Sequence, residues 1–365
     1  MEDSRDKAGF LLAEIERLAV RPMRLMEVCG THTVAIFRAG IRQLLPAGVE
    51  LVSGPGCPVC VTADDYIDEA IAYARQEDVI LTTFGDMLKV PGSASSLAQA
   101  QAEGADIRVL YSPLESLDIA KENPGKKVVF LAVGFETTAP TAAATVLEAA
   151  AQQLDNFFVL TAHKLVPPAL KALLADPQVR VDGFILPGHV CAVAGEAPYR
   201  FLPEKYHMPA VISGFEPLDI LQTVYCLVRQ ICRQQPALEN TYRRVVRPEG
   251  NPAARQIMAE VYEVCDAEWR GIGPLANSGL QVRPQYREFD ARAAIGLTVP
   301  RPKGNSRCRC GEVLRGIITP RECPLFGKGC SPRRPVGACM VSVEGACAAW
   351  YKYGSGRYMY GRQTD

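Results

Sequence analysis

Seven times between about residue 24 and residue 235, a short apolar run stops at a loop containing Gly, Pro or His and gives way to a helical stretch. That alternation is the rhythm of βα units, because parallel strands need crossovers and helices are the usual crossover. The runs and their exits are Leu25 to Val28 into Cys-Gly-Thr-His-Thr, Val49 to Val52 into Gly-Pro-Gly-Cys-Pro-Val-Cys, and Val79 to Phe84 into Gly-Asp-Met-Leu-Lys-Val-Pro-Gly. Then come Val128 to Val133 into Gly-Phe-Glu-Thr-Thr-Ala-Pro, Phe157 to Ala162 into His-Lys-Leu-Val-Pro-Pro, Phe184 to Pro187 into Gly-His-Val, and Ala210 to Ser213 into Gly-Phe-Glu-Pro-Leu-Asp. Nearly every reactive side chain follows a strand, and in open α/β sheets ligands bind in the crevice beyond the strands' carboxyl ends. The expected fold class is α/β: two parallel-sheet α/β domains plus a loop-rich C-terminal metal-binding module. Gly-Phe-Glu occurs at Gly134 to Glu136 and again at Gly214 to Glu216, a short hint of two similar halves. The polar stretch Lys121 to Lys127 marks a division into an N-terminal helix (1–20), a first α/β domain (21–122), a second (123–238) and the C-terminal module (239–365).

The N-terminus mixes acids and bases through Phe10, Leu11, Leu12, Ile15 and Leu18 at helical spacing, which predicts an amphipathic helix and not a signal peptide. Lys plus Arg equals Asp plus Glu at 40 each, so the overall charge gives no reason to expect nucleic acid or an anionic membrane as partner. No apolar run is long and uncharged enough to span a bilayer. The expected location is therefore the cytosol, where thiols stay reduced and 13 cysteines in 365 residues point to metal binding or redox chemistry more than to a disulfide framework. Cys226, Cys232 and Cys265 lack partners at ligand spacing and are read as small hydrophobes in helices.

Six cysteines crowd the C-terminal end: Cys308, Cys310, Cys323, Cys330, Cys339 and Cys347. Zinc modules favour short Cys-x-x-Cys knuckles, whereas these gaps are long and irregular and hold no histidine, which favours an iron-sulfur cluster on four thiolates. Arg307, Arg309, Arg315, Arg321, Lys328, Arg333 and Arg334 would offset the charge of such a cluster, or form a solvated face for an acidic partner. Two of the six thiols are surplus, and spacing alone does not say which.

Cys29 ends a strand and is followed three residues on by His32; unsatisfied N–H groups at such a turn favour a thiolate. Cys57-Pro58-Val59-Cys60 sets two thiols within reach after the bend Gly54-Pro55-Gly56, the pattern of a reversible dithiol. Together with Cys29 and His32 the pair is also a Cys3His zinc set, the structural alternative. Asp86, Glu136, His163, His189 and Glu216 stand at other strand exits, where a structural zinc needs none of them. Each taken singly could cap a helix or satisfy a buried hydrogen bond, and for His163 and His207 that reading weighs as much as a functional one.

The segments Cys29 to Thr33, Gly54 to Cys60, Thr83 to Gly92, Gly134 to Thr138, Pro187 to Val190 and Gly214 to Leu221, with the spacing Cys310-x12-Cys323-x6-Cys330-x16-Cys347, together resemble the HypD family of hydrogenase maturation factors. The resemblance runs from about residue 20 to the end. Lys89 stands where the family has arginine, Ala63 where proline often follows, and Cys191 where serine is common. The resemblance implies [4Fe-4S] ligands at Cys310, Cys323, Cys330 and Cys347, with Cys308 and Cys339 outside the cluster. It further implies that the small chaperone HypC and Cys29 share an iron that receives cyanide and carbon monoxide. His32 and His189 would then position or protonate bound groups, Cys57 and Cys60 would cycle as dithiol and disulfide, and HypE would dock transiently, with Asp86 and Glu136 at their strand exits as further catalytic candidates. Such a protein is a scaffold with redox chemistry more than a turnover enzyme. Two other classes fit parts of the pattern: a cluster/dithiol oxidoreductase resembling ferredoxin-thioredoxin reductase, and a zinc-stabilised binding module.

Overall fold

The computed structural model describes residues 2–297 and 308–354. The amphipathic N-terminal segment forms the helix Glu2–Leu18, which lies along the helix Pro217–Arg233. Ile15 is fully buried there and Leu11, Leu12 and Leu18 pack beside it, while Phe10 turns to solvent.

Among the described residues, nine strands build two parallel sheets. The first has the order β2 (Val49–Ser53), β1 (Met23–Glu27), β7 (Gly183–Pro187), β8 (Ala210–Ser213), β9 (Leu238–Asn240). The second has the order β4 (Ile107–Val109), β3 (Val79–Thr83), β5 (Lys127–Ala132), β6 (Phe157–Thr161). Every residue of β3, β6 and β7 is buried, as expected of strands covered by helices on both faces. The parallel α/β class thus stands as read from the sequence.

A division at 122/123 does not follow the sheets. β3 pairs with β4 on one side and, across that boundary, with β5 on the other, while β1 pairs with β7 some 160 residues on. The second sheet is inserted into the first between β2 and β7. Strand rhythm reports that βα units exist but not which strands neighbour one another, since parallel neighbours need not be consecutive in the chain.

The chain beyond residue 238 is also more integrated than a separate module. β9 completes the first sheet, and β10 (Tyr262–Trp269) and β11 (Gly273–Val282) form an antiparallel hairpin with a register shift at Cys265/Ala267. Tyr262, Leu280 and Val282 pack into the same core as Val128, Phe130 and Phe157 of the second sheet, and Trp269 stacks on Phe135 at 6.0 Å. Cys265 therefore sits half-buried on a strand and not in a helix, whereas Cys226 and Cys232 lie in the helix Pro217–Arg233.

The cysteine-dense end folds back on the opening of the chain. Its last described helix, Ala346–Tyr353, packs on the helix Gly30–Arg38, with Trp350 edge-on to Phe37 at 5.2 Å. Arg315 pairs with Asp176 at 2.7 Å, and Arg24 donates to the Gly316 carbonyl at 2.9 Å.

Candidate functional site

The strands β2, β1, β7 and β8 are adjacent in that order, and the loops leaving their carboxyl ends carry Cys57 to Cys60, Cys29 with His32, His189 with Cys191, and Gly214 to Glu216. Strand order reverses at β1: the chain goes first to β2 on one side and returns later to β7 on the other. Splayed loops at such a switch point leave a crevice. Cys29 stands there, half-buried at the N-cap of the helix Gly30–Arg38.

The backbone of this turn is locked against the next loop. Gly30 N–H donates to the Gly56 carbonyl at 2.9 Å, and a Cβ on Gly56 would overlap the Cys29 backbone. A Cβ on Gly30 would collide with Glu344, whose carboxylate accepts from the Thr31 hydroxyl at 2.6 Å. Burial first, and then the Glu344 charge, push the Cys29 thiol up to about 11, although the N–H groups of His32 and Thr31 pull the other way. The N-cap effect expected from the sequence is present and outweighed. The thiol therefore keeps its proton at neutral pH.

His32 is fully buried, and its Nε2 lies 2.9 Å from the Gly214 carbonyl, which makes Nε2 the protonated nitrogen. Burial lowers its pKa to about 4, so the ring is neutral, and Nδ1 has no partner. Phe215 lies between two imidazoles, stacked on His32 at 4.4 Å and on His189 at 3.9 Å. His32 and His189 are thus held in one file by the aromatic ring of the second Gly-Phe-Glu.

Cys57 and Cys60 are joined as a disulfide with Cα atoms 5.2 Å apart, and the Cys60 N–H donates to the Cys57 sulfur at 3.2 Å. Both are buried. Because no shift of side chains can clear a Cβ at Gly56 from the Cys29 backbone, Gly56→Ala is expected to cost about 3 kcal/mol or more, the upper range of overpacking. Thermal unfolding of that variant beside Gly54→Ala, whose Cβ would meet only side-chain atoms, measures it.

From the second sheet, Glu136 reaches the same region. Its Oε1 accepts from Val166 N–H at 3.0 Å, Oε2 is buried without a partner, and burial raises the carboxyl to about 7. Glu136 and Cys29 both act on the fully buried Cys191, whose thiol lies by the Tyr199 hydroxyl. Asp86 is not part of this group: it is exposed on the turn Gly85–Met87 and shares none of these contacts. Glu216 caps the helix Pro217–Arg233 in a capping box with Asp219. His163 is buried against Tyr262 with burial lowering it to about 3, and His207 ends the helix Phe201–Tyr206 in a left-handed conformation. Glu216 and His207 thus stand at helix ends, whereas the Nδ1 of the buried His163 has no partner.

The C-terminal thiols converge. Cys308, Cys310, Cys323, Cys330, Cys339 and Cys347 line one pocket, closed by Val313, Leu325, Phe326 and Met340. Among the described residues no three His, Cys, Asp or Glu side chains meet closely enough to hold a single metal ion. A polynuclear cluster differs from a single ion in binding its thiolates at separate irons, so their sulfurs need not converge on one point. Six thiols around an apolar pocket without histidine are a donor set suited to iron and sulfide. Cys308 and Cys339 line the same pocket as the four expected ligands, sharing sulfur hydrogen bonds with Cys310. The turn Ala338–Met340 packs on the helix Pro58–Val61, bringing the pocket up against the Cys57–Cys60 pair.

A family model described as HypD, Hydrogenase formation hypA family, matches residues 6–354. The chain belongs to the HypD family. The hydrogenase maturation factor HypD of Escherichia coli strain K12 is 48% identical over 354 residues, covering 97% of this chain and 94% of the relative. The factor of the same name from Azotobacter vinelandii is 49% identical over 361 residues, covering 97% and 95%. That from Rhodobacter capsulatus is 48% identical over 365 residues, covering 96% of each.

In this HypD-family chain several site residues escaped the sequence reading. Glu344 meets the Cys29 turn from 313 positions beyond Thr31, and nothing local marks it. Arg270 is the cation that acts on Cys308, Cys310 and Cys339, ion-paired to Asp64, although it lies outside the cysteine-rich stretch. Three of the local arginines are engaged otherwise: Arg309 with Glu312, Arg315 with Asp176, and Arg321 over Trp350. Arg307 lies outside the described residues. Phe215 alone had a usable signal, the repeated Gly-Phe-Glu.

Proposed function

We propose that this hydrogenase maturation factor is a cytoplasmic scaffold that holds an iron ion on Cys29 while diatomic ligands are installed. HypC would supply the second thiolate, and HypE would dock transiently. The observation that carries this is the place of Cys29: at the switch point of the first sheet, next to Gly30, whose N–H is bonded to the loop that bears Cys57 and Cys60. A protonated thiol exchanges its proton for the metal, and thiolate donors suit a low-spin iron carrying cyanide and carbon monoxide. The tied, neutral His32 offers its free Nδ1 as an acceptor, and Phe215 holds His32 and His189 in fixed orientation.

Cys310, Cys323, Cys330 and Cys347 would hold a [4Fe-4S] cluster, which supplies single electrons when bound. The packing of Ala338–Met340 on Pro58–Val61 favours exchange of electrons with the Cys57–Cys60 pair. Closing that disulfide releases two electrons and two protons, and opening it takes up the same. Anaerobic purification with HypC, followed by iron, sulfide and zinc analysis, tests the whole reading. Iron beyond what the sulfide accounts for is expected; zinc without sulfide would support a binding module instead.

The dithiol has its own test. A redox titration with thiol trapping is expected to give a two-electron couple at roughly −180 to −300 mV, the range of cytosolic dithiols. Identical alkylation of both thiols at every potential would make the pair structural.

A further inference from the structure

Arg270 begins the turn of the hairpin and stands between the Cys57–Cys60 loop and the C-terminal thiols. On one side its N–H donates to the Val61 carbonyl at 2.9 Å and its Nε to the Thr62 carbonyl at 2.7 Å, the two residues that follow Cys60. On the other side its neighbour Gly271 lies backbone against backbone on Gly311, and a Cβ on either glycine would overlap the main chain of the other. Gly311 directly follows Cys310, so this contact brings Arg270 into the wall of a cleft that Cys308 and Cys310 also line.

The charge placed there is a buried one. The Arg270 side chain is 8% exposed, whereas that of Asp64, its ion-pair partner, is 29% exposed. Water screens the carboxylate more than the guanidinium, so the positive end of the pair acts further into the protein. Hydrogen bonds among the thiols and burial hold Cys308, Cys310 and Cys339 in their protonated forms, and the cation acting against this at all three is Arg270. Lys328, Arg333 and Arg334 are exposed and Arg309 is paired with Glu312, so solvent and that partner weaken their fields. We propose that Arg270 tunes the C-terminal centre, its buried charge raising the reduction potential of the [4Fe-4S] cluster on Cys310, Cys323, Cys330 and Cys347, a role that rests on the cluster reading. Reduction adds one electron, and hence one negative charge, and makes or breaks no bond; a fixed cation nearby favours the reduced form. Because Arg270 is also bonded to the chain leaving Cys60, its charge stands beside both groups that would exchange electrons.

Anaerobic full-length protein titrated with dithionite in the presence of redox mediators, and followed by electron paramagnetic resonance, tests this. Arg270→Gln is expected to keep the wild-type sulfide content and to lower the equilibrium constant for reduction about tenfold, a shift of about 59 mV to more negative potential. Arg270→Lys keeps the charge and should recover most of that shift. Asp64→Asn removes the opposing carboxylate and should move the midpoint the other way, to more positive potential, a reversal of sign that a merely structural role would not produce. An unmoved midpoint in Arg270→Gln with its cluster intact overturns the proposal and leaves the cluster reading standing. Equal shifts in Arg270→Gln and Arg270→Lys overturn it in the same way. Should Arg270→Gln fail to load the cluster, Asp64→Asn decides, and an unmoved or lowered midpoint there overturns the proposal. Wild-type protein without sulfide removes the cluster reading and the role of Arg270 together.

Discussion

Cys29→Ala is expected to abolish the infrared bands of metal-bound cyanide and carbon monoxide in the complex with HypC, while leaving the visible spectrum of the C-terminal cluster unchanged. The separation follows from geometry. Cys29 belongs to the turn that contacts Gly56 and Glu344, whereas the six C-terminal thiols line their own pocket. Alanine removes the sulfur and retains the backbone bond from Gly30 to Gly56, so the fold loses little. Cys57 and Cys60 are bonded to each other and the free Cys191 is fully buried, which leaves Cys29 the partly exposed thiol at the switch point. Should Cys29→Ala keep the bands at wild-type intensity while Cys57→Ala loses them, the dithiol holds the iron and the assignment fails. Glu344→Gln refines the test: removing a negative charge lowers the Cys29 pKa, so iron uptake should begin at lower pH than in the wild type.

The second large effect concerns the C-terminal pocket. A Cys323→Ala, Cys330→Ala double variant is expected to lose acid-labile sulfide and visible absorption, and to melt about 5 °C or more below the wild type. Metal binding stabilises such loop-rich segments, and here the loss would spread. Cys347 sits on the helix that packs on Gly30–Arg38 through Trp350 and Phe37, so loosening it withdraws Glu344 from the Cys29 turn. The paired control is Cys308→Ser, Cys339→Ser. It should keep the cluster even though both thiols line the pocket, because four thiolates suffice. Full cluster content in the first variant, or loss in the second, reassigns the ligands; zinc without sulfide removes the cluster altogether.

The local features of this chain were legible in its sequence. Alternation of apolar runs with Gly- and Pro-containing loops marked seven strands and a parallel α/β class, because strands buried on both faces are apolar throughout and parallel connections need helices. Cys29, the Cys57–Cys60 pair and the C-terminal thiols were visible as reactive residues at strand exits or at metal-site density, since that chemistry is local. Other properties depended on tertiary structure. Sheet pairing inserted one sheet into the other, which the division at 122/123 could not foresee, because hydrogen bonding between β1 and β7 has no local signature. Exposure removed Asp86 from the thiol group and capping accounted for Glu216. The file His32, Phe215, His189 comes from three strand exits brought side by side. Above all, the protonation of Cys29 was decided by burial and by Glu344, more than 300 residues away: sequence indicates which groups can titrate, but a pKa depends on the solvent and charges that only the folded chain places around them.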